Sequence, residues 1–292
     1  MITRETAFII GAGGSFPYGF PLGEELVRNI IANLSTIKYT SELKDLRFHP
    51  STIQKFGQRL AGSNLRSIDT FLEHQSDDLK LLGKTAIAQE LIKYTAYNKD
   101  QISDNWYKEI WNKMYTSLDL LKKNKIYFIT FNYDLSLEHF LYRSVSSSFD
   151  TSREEIVDIM SSFTFIHVHG KIGLAPWEKG YNSDISLSEA AKGIKIISED
   201  VEKSTEFTQA QEILKKAERI YILGFGYHPI NIQRLKLAEL PHTSKEYIKG
   251  NSFGFTQLQS FEIEKLIGRQ NILAHSNVWN NTQFIREQVS LS

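Results

Sequence analysis

Apolar residues along this chain recur with two different periods, and the switches between them mark its elements. "TAFII", Thr6 to Ile10, is a short β-branched and aromatic run closed by glycine; Leu22, Leu26, Val27, Ile30, Ile31 and Leu34 then follow at helical spacing. That is a strand, a loop and a helix. From about Ser41 to Lys123 the stripes are helical, as in "DDLKLLGKTAIAQELIKYTAY" and "DNWYKEIWNKMYTSLDLLKK", and proline is almost missing. The pattern predicts a helical insertion over 35–124. Strand signals return at "KIYFIT" (125–130), "SFTFIHVHG" (162–170), "GIKIIS" (193–198) and "RIYILGFG" (219–226), with a late one at "NILAHS" (271–276). Helices fit between them, notably Glu206 to Lys216 and Asn231 to Glu239.

Short apolar strands joined by helices predict an α/β fold with an open, mostly parallel sheet buried on both faces. No repeat and no low-complexity linker interrupts residues 1–292, which read as one domain carrying the helical insertion. Ligands in such folds sit at the carboxyl ends of strands. Four of the expected strand ends carry unusual residues: "GAGGS" (11–15), "TFNYD" (130–134), "HVHG" (167–170) and "LGFG" (223–226).

Each of these has a functional and a structural reading. Gly11, Gly13 and Gly14 would let main-chain amides close on a phosphate at a helix N-terminus, or simply make a tight turn. The dinucleotide fingerprint G-x-G-x-x-G would need glycine at position 16, where Phe16 stands, so a hydride-transfer enzyme is the lesser reading. Asn132 and Asp134 fall on one side if the strand continues, and both can hydrogen-bond a ligand; Asp134 could instead cap the following helix. His169, followed by Gly170, is placed at a strand mouth where an imidazole reaches a ligand. His167 shares its face by period two and competes for the role. Two imidazoles with no carboxylate at ligand spacing make a poor metal site, so no metal is expected.

Composition narrows the classes. Lys plus Arg and Asp plus Glu number 34 each, so no whole-chain field attracts nucleic acid or an anionic membrane. Cysteine is absent, which excludes disulfides, thiolate catalysis and cysteine zinc sites. The first apolar run is too short for a signal segment, and no apolar stretch approaches the roughly 20 residues that span a bilayer, so a cytoplasmic location is expected. Trp106, Trp111 and Tyr115 recur at helical spacing and read as core.

In order along the chain, "FIIGAGGSFPYGFP", "SIDTFL" (67–72), "FITFNYDLSLEHFL", "HVHG" and "IYILGFG" resemble the sirtuin-like domains of bacterial antiphage defence proteins. The match covers most of the chain, loosely between motifs. Sirtuin deacetylases carry a G-A-G-x-S loop ending in G-I-P-D-F-R, a Q-N-x-D segment, a catalytic H-G and a glycine-serine turn, together with a four-cysteine zinc module. Here the loop ends G-F-P-L-G-E-E, Phe131 replaces the glutamine, "GFGY" replaces the glycine-serine turn and cysteine is missing. The resemblance is therefore to the branch that cleaves NAD+, with a Rossmann-like fold.

It implies that Gly11, Ala12, Gly13, Gly14 and Ser15, with Phe16, hold the pyrophosphate side. Asn132 and Asp134 address the ribose and nicotinamide, and His169, beside Gly170, acts as base. Gly224, Phe225 and Gly226 approach the adenosine half. NAD+ is then a substrate and the activity glycohydrolase, giving nicotinamide and ADP-ribose. Such an activity needs gating, and the resemblance implies homo-oligomerisation or a separately encoded partner such as a helicase-like ATPase or an argonaute-type protein, with no membrane and no direct nucleic acid contact. A non-catalytic sensor that binds NAD+ or ADP-ribose is the alternative.

Overall fold

A computed structural model describes residues 1–95, 104–196, 204–241, 247–273 and 276–290. Its centre is a five-stranded, all-parallel sheet: β1 (Thr6–Ile10), β2 (Ile126–Thr130), β3 (Thr164–His167), β4 (Arg219–Leu223) and β5 (Tyr247–Gly250), in the order β3-β2-β1-β4-β5. Helices cover both faces, the Rossmann-like arrangement.

The register is what matters for a site. Ile10 lies opposite both Thr130 and Leu223, and Thr130 lies opposite His167. Four strands therefore end at one level, and the segments after them leave the sheet side by side. Chain order reverses between β1 and β4, the switch point at which folds of this kind hold ligands.

Alternation along β1 divides the core in two. Phe8 and Ile10 point to one face, where they join Phe128, Tyr221 and the helical insertion; Ala7 and Ile9 point to the other, with Ile129, Ile222, Phe207 and Leu214. The insertion shares its core with the sheet: Leu43, Phe56, Leu60, Leu72 and Leu82 belong to the same packed cluster as Phe8. Helix Asp77–Ile92 is buried along much of its length because neighbours pack on several sides. Trp106 and Trp111 are core as expected, whereas Tyr115 is half exposed and stacks on Phe149.

Two expected strands do not form among the described residues. At 193–198, Ile194 makes a single bridge with Gly170, and helix Leu187–Gly193 reaches into the segment, whose last two residues lie outside the described set. At 271–276, residues 271–273 are bent, not extended, and Ala274 and His275 lie outside the described set. Ile272 and Leu273 are apolar because they pack behind the edge strand β5, where the Ile272 carbonyl accepts the Gly250 amide at 3.0 Å. The span Asn231 to Glu239 is a short helix, Pro229–Arg234, followed by a 3-10 turn at Leu237–Glu239. Among the described residues no helix is long and apolar enough to cross a membrane.

Candidate active site

The segment after β1 is a helical turn, Ala12–Ser15, packed directly on the segment after β4. Gly224 sits at φ +56, and a Cβ there would stand 2.0 Å from the Gly14 nitrogen; a Cβ on Gly11 would meet the Gly224 carbonyl at 2.6 Å. These glycines are needed because two main chains touch. The contact also consumes donors. Gly11 N–H donates to the Leu223 carbonyl at 3.0 Å, Gly13 N–H to the Gly224 carbonyl at 2.9 Å and Gly14 N–H to the Gly11 carbonyl at 2.8 Å. Trp106 Nε1 and Asn281 Nδ2 then pin the Gly14 and Gly13 carbonyls at 2.8 and 2.9 Å. The loop is a rigid wall with few amides left to offer, whereas the sequence pattern suggested an open phosphate cradle.

Beside that wall, at the ends of β1, β2 and β4, lies a cavity of about 230 Å³ bordered by Gly11, Ala12, Asn132, His169, Phe225 and Gly226. These six were all expected from sequence and come together as the strand register requires. A Cβ on Gly226 would meet nothing within 4 Å, so this glycine borders open space. A larger groove, about 430 Å³, lies in the helical part between helices Gly23–Asn33 and Pro50–Ser63 and includes none of the strand-end residues.

Asn132 is fixed by its own donors. Nδ2 donates to the Gly11 carbonyl at 3.0 Å and to Ser15 Oγ at 2.8 Å, so both N–H groups are spent on the glycine loop. Oδ1 receives no protein donor among the described residues and is left for a ligand. Ser15 thus positions Asn132 and stays buried.

His169 is buried against the rings of Phe131 and Phe207, with centroids at 5.3 and 5.8 Å. Its Nε2 has no hydrogen-bond partner among the described residues. Burial, helped by the positive charge of Arg234, lowers its pKa to about 3, so the ring is neutral at ordinary pH. A neutral ring with a free nitrogen at a cavity wall can accept a proton.

His167 is different. β3 ends at this residue and the chain turns, with Gly170 N–H donating to the His167 carbonyl at 3.0 Å, so period two no longer places the two histidines on one face. His167 Nδ1 meets the Asn132 carbonyl at 2.9 Å and Nε2 meets Glu138 Oε1 at 2.5 Å. Burial alone would depress this histidine, but the Glu138 carboxylate and the Asn132 carbonyl outweigh it and raise the pKa.

Asp134 also leaves the site. β2 ends at Thr130, and Asp134 turns inward, where Oδ1 accepts the Ser136 amide at 3.0 Å and the Ser136 hydroxyl. This is the turn-capping role, and burial pushes its carboxyl up against the opposing hydrogen bonds from Ser136 and Ser15. Gly170, at φ +76, packs on the Gly193 carbonyl and does not border the cavity. Phe16 is half exposed and is also absent from its lining.

Sequence reasoning overlooked the opposite wall, formed by Ser67, Asp69, Thr70, Glu73, His228 and Asn231. The motif "SIDTFL" supplies three of them, Ser67, Asp69 and Thr70. In helix Ile68–Glu73, Ile68, Phe71 and Leu72 are buried in the core, and Asp69, Thr70 and Glu73 face the cavity at positions i, i+1 and i+4. Among the described residues no three His, Asp or Glu side chains gather as a metal site would need.

No protein-family model matches the chain, and no curated protein is detectably similar to it.

Proposed function

We propose that the protein is a sirtuin-like NAD+ glycohydrolase, which cleaves the bond between nicotinamide and ribose to give nicotinamide and ADP-ribose. The observation that carries this reading is the pairing, in one cavity, of a neutral imidazole with an unpartnered nitrogen, His169, and a carboxamide oxygen held in place by its own amide, Asn132.

In oxidised NAD+ the nicotinamide is a cationic leaving group, so the C–N bond breaks with both electrons going to the ring nitrogen and no acid is required. The sugar carbon gains oxocarbenium character. Asn132 Oδ1 presents the negative end of a fixed dipole to that charge, which costs no reorganisation when the bond breaks. Water then bonds to the sugar carbon, and its proton passes to His169, a contribution of about 10² to 10⁴ in rate. Water bonded to an oxocarbenium carbon is an oxonium, acidic enough for an imidazole whose pKa is lowered to about 3 to take its proton.

The cavity is smaller than the roughly 300 to 1,000 Å³ usual for drug-sized ligands, which suits one half of a dinucleotide or a site that widens on activation. Opening by self-assembly or by a separately encoded defence partner belongs to the same proposal. Incubation of the purified chain with NAD+, followed by chromatography of products, tests it. Nicotinamide and ADP-ribose are expected from wild type and not from folded Asn132→Ala or His169→Ala. Tight binding of NAD+ or ADP-ribose without turnover in every assembly state would favour the sensor instead.

A further inference from the structure

The cavity is rich in hydrogen-bond acceptors. Among the described residues no donor reaches Asn132 Oδ1 and none reaches the buried Asn231 Oδ1, and Asp69 and Glu73 add two carboxyl groups. The glycine-loop amides that could have balanced them are spent within the protein. Such a lining suits a ligand bearing hydroxyl or amide donors. In a nicotinamide dinucleotide that description fits the nicotinamide riboside half.

Asp69 is the best placed of these acceptors. Helix Ile68–Glu73 is anchored by Ile68, Phe71 and Leu72 in the core, and Ser67 caps it by accepting the Thr70 amide at 3.4 Å. The hydroxyl of Tyr133, the residue next to Asn132, donates to Asp69 Oδ1 and ties this wall to the strand end that carries Asn132. The Tyr133 hydroxyl and the backbone amide of Asp69 itself do not saturate a carboxylate, which has about four acceptor positions. Asp69 keeps part of its surface accessible and lines the same cavity as His169.

We propose that Asp69 is a catalytic residue that accepts hydrogen bonds from the vicinal hydroxyls of the ribose next to nicotinamide, so that the site selects ribose over deoxyribose at that position. This assignment rests on the NAD+ reading and adds to it the orientation of the substrate, with nicotinamide riboside in the cavity and phosphates outside.

The test compares kcat/KM for NAD+ and for its analogue lacking the 2′-hydroxyl on the nicotinamide ribose, in wild type, Asp69→Asn and Tyr133→Phe. Intrinsic reactivity of the two substrates cancels in the ratio of ratios, which isolates the coupling. Asp69→Asn is expected to shift the preference for NAD+ by about 10-fold or more, the size of a hydrogen bond to a charged group. Tyr133→Phe, which keeps Asp69 and removes its anchor, shifts it about 3-fold in the same direction. Thermal melting checks that both variants fold, and Tyr133→Phe carries the test if Asp69→Asn does not. An unchanged ratio in an active, folded variant overturns the assignment and leaves the glycohydrolase standing. A wild type that neither binds nor cleaves NAD+ overturns both.

Discussion

Asn132 stands between two polar clusters that differ in one respect. On its inner side Asp134, Ser15, Ser136, Tyr107, His167 and Glu138 are buried and satisfied: Tyr107 pairs with Ser136 at 2.7 Å, Asp134 with Ser136 and Ser15, and His167 with Glu138 and the Asn132 carbonyl. The space left there is about 10 Å³, no more than a single water molecule needs. On the outer side His169 Nε2 and Asn231 Oδ1 are as deeply buried and have no partner among the described residues, next to a cavity of about 230 Å³. Two histidines two residues apart illustrate the contrast. Burial does not separate a functional polar group from a structural one; residual hydrogen-bonding capacity does.

The largest effects separate the clusters by what is lost. Replacing His169 with Phe is expected to lower nicotinamide release about 10² to 10⁴-fold while leaving the urea midpoint unchanged or higher, because an unsatisfied buried nitrogen is removed. Glu138→Leu should do the reverse to stability. Breaking the buried pair with His167 costs about 3 to 5 kcal/mol in urea unfolding, and a loss below about 1 kcal/mol would show that the inner cluster is not the rigid one.

A smaller contrast lies in the glycines after β4. Gly224→Ala forces a Cβ onto the Gly14 nitrogen at positive φ and should cost about 1 to 3 kcal/mol, whereas Gly226→Ala has open space and should stay within about 0.5 kcal/mol. Equal losses in thermal melts of the two variants would contradict the packing described here.

The most gradual effect is pH dependence. The folded pKa of His169, about 3, lies below the unfolded value near 6.5, so between those limits the unfolded chain binds more protons and folding weakens as pH falls. His139, lowered to about 4 chiefly by burial, acts in the same direction, and the raised pKa of His167 acts only above about 6.5. Measured against His169→Phe, wild type should lose stability on acidification below about pH 6, with a slope approaching 1.4 kcal/mol per pH unit. A parallel pair of curves would mean that the ring is solvated.

Four strands were legible because a strand buried on both faces must be a short continuous apolar run, as "TAFII" and "RIYIL" are. The edge strand "YIKG" was not, since it is short and carries a lysine, while buried Ile194 imitates a strand from a single bridge and buried Ile272 from a bend. Asn132, His169 and Gly226 were legible because position after a parallel strand fixes where a residue emerges. Asp134 and His167 were misplaced because period two was carried past the last paired residues, Thr130 and His167, into turns. Asp69 could not be assigned at all: it meets Tyr133 across 64 positions, and no local spacing encodes that approach.

The central claim is that the outer cluster is built to part nicotinamide from its ribose. Chromatographic quantification of nicotinamide and ADP-ribose from NAD+, in wild type, His169→Phe and Asn132→Ala side by side, tests it most directly. The account predicts equimolar products from wild type and a loss of at least about 100-fold in both folded variants. Product formation undiminished in either one would contradict it.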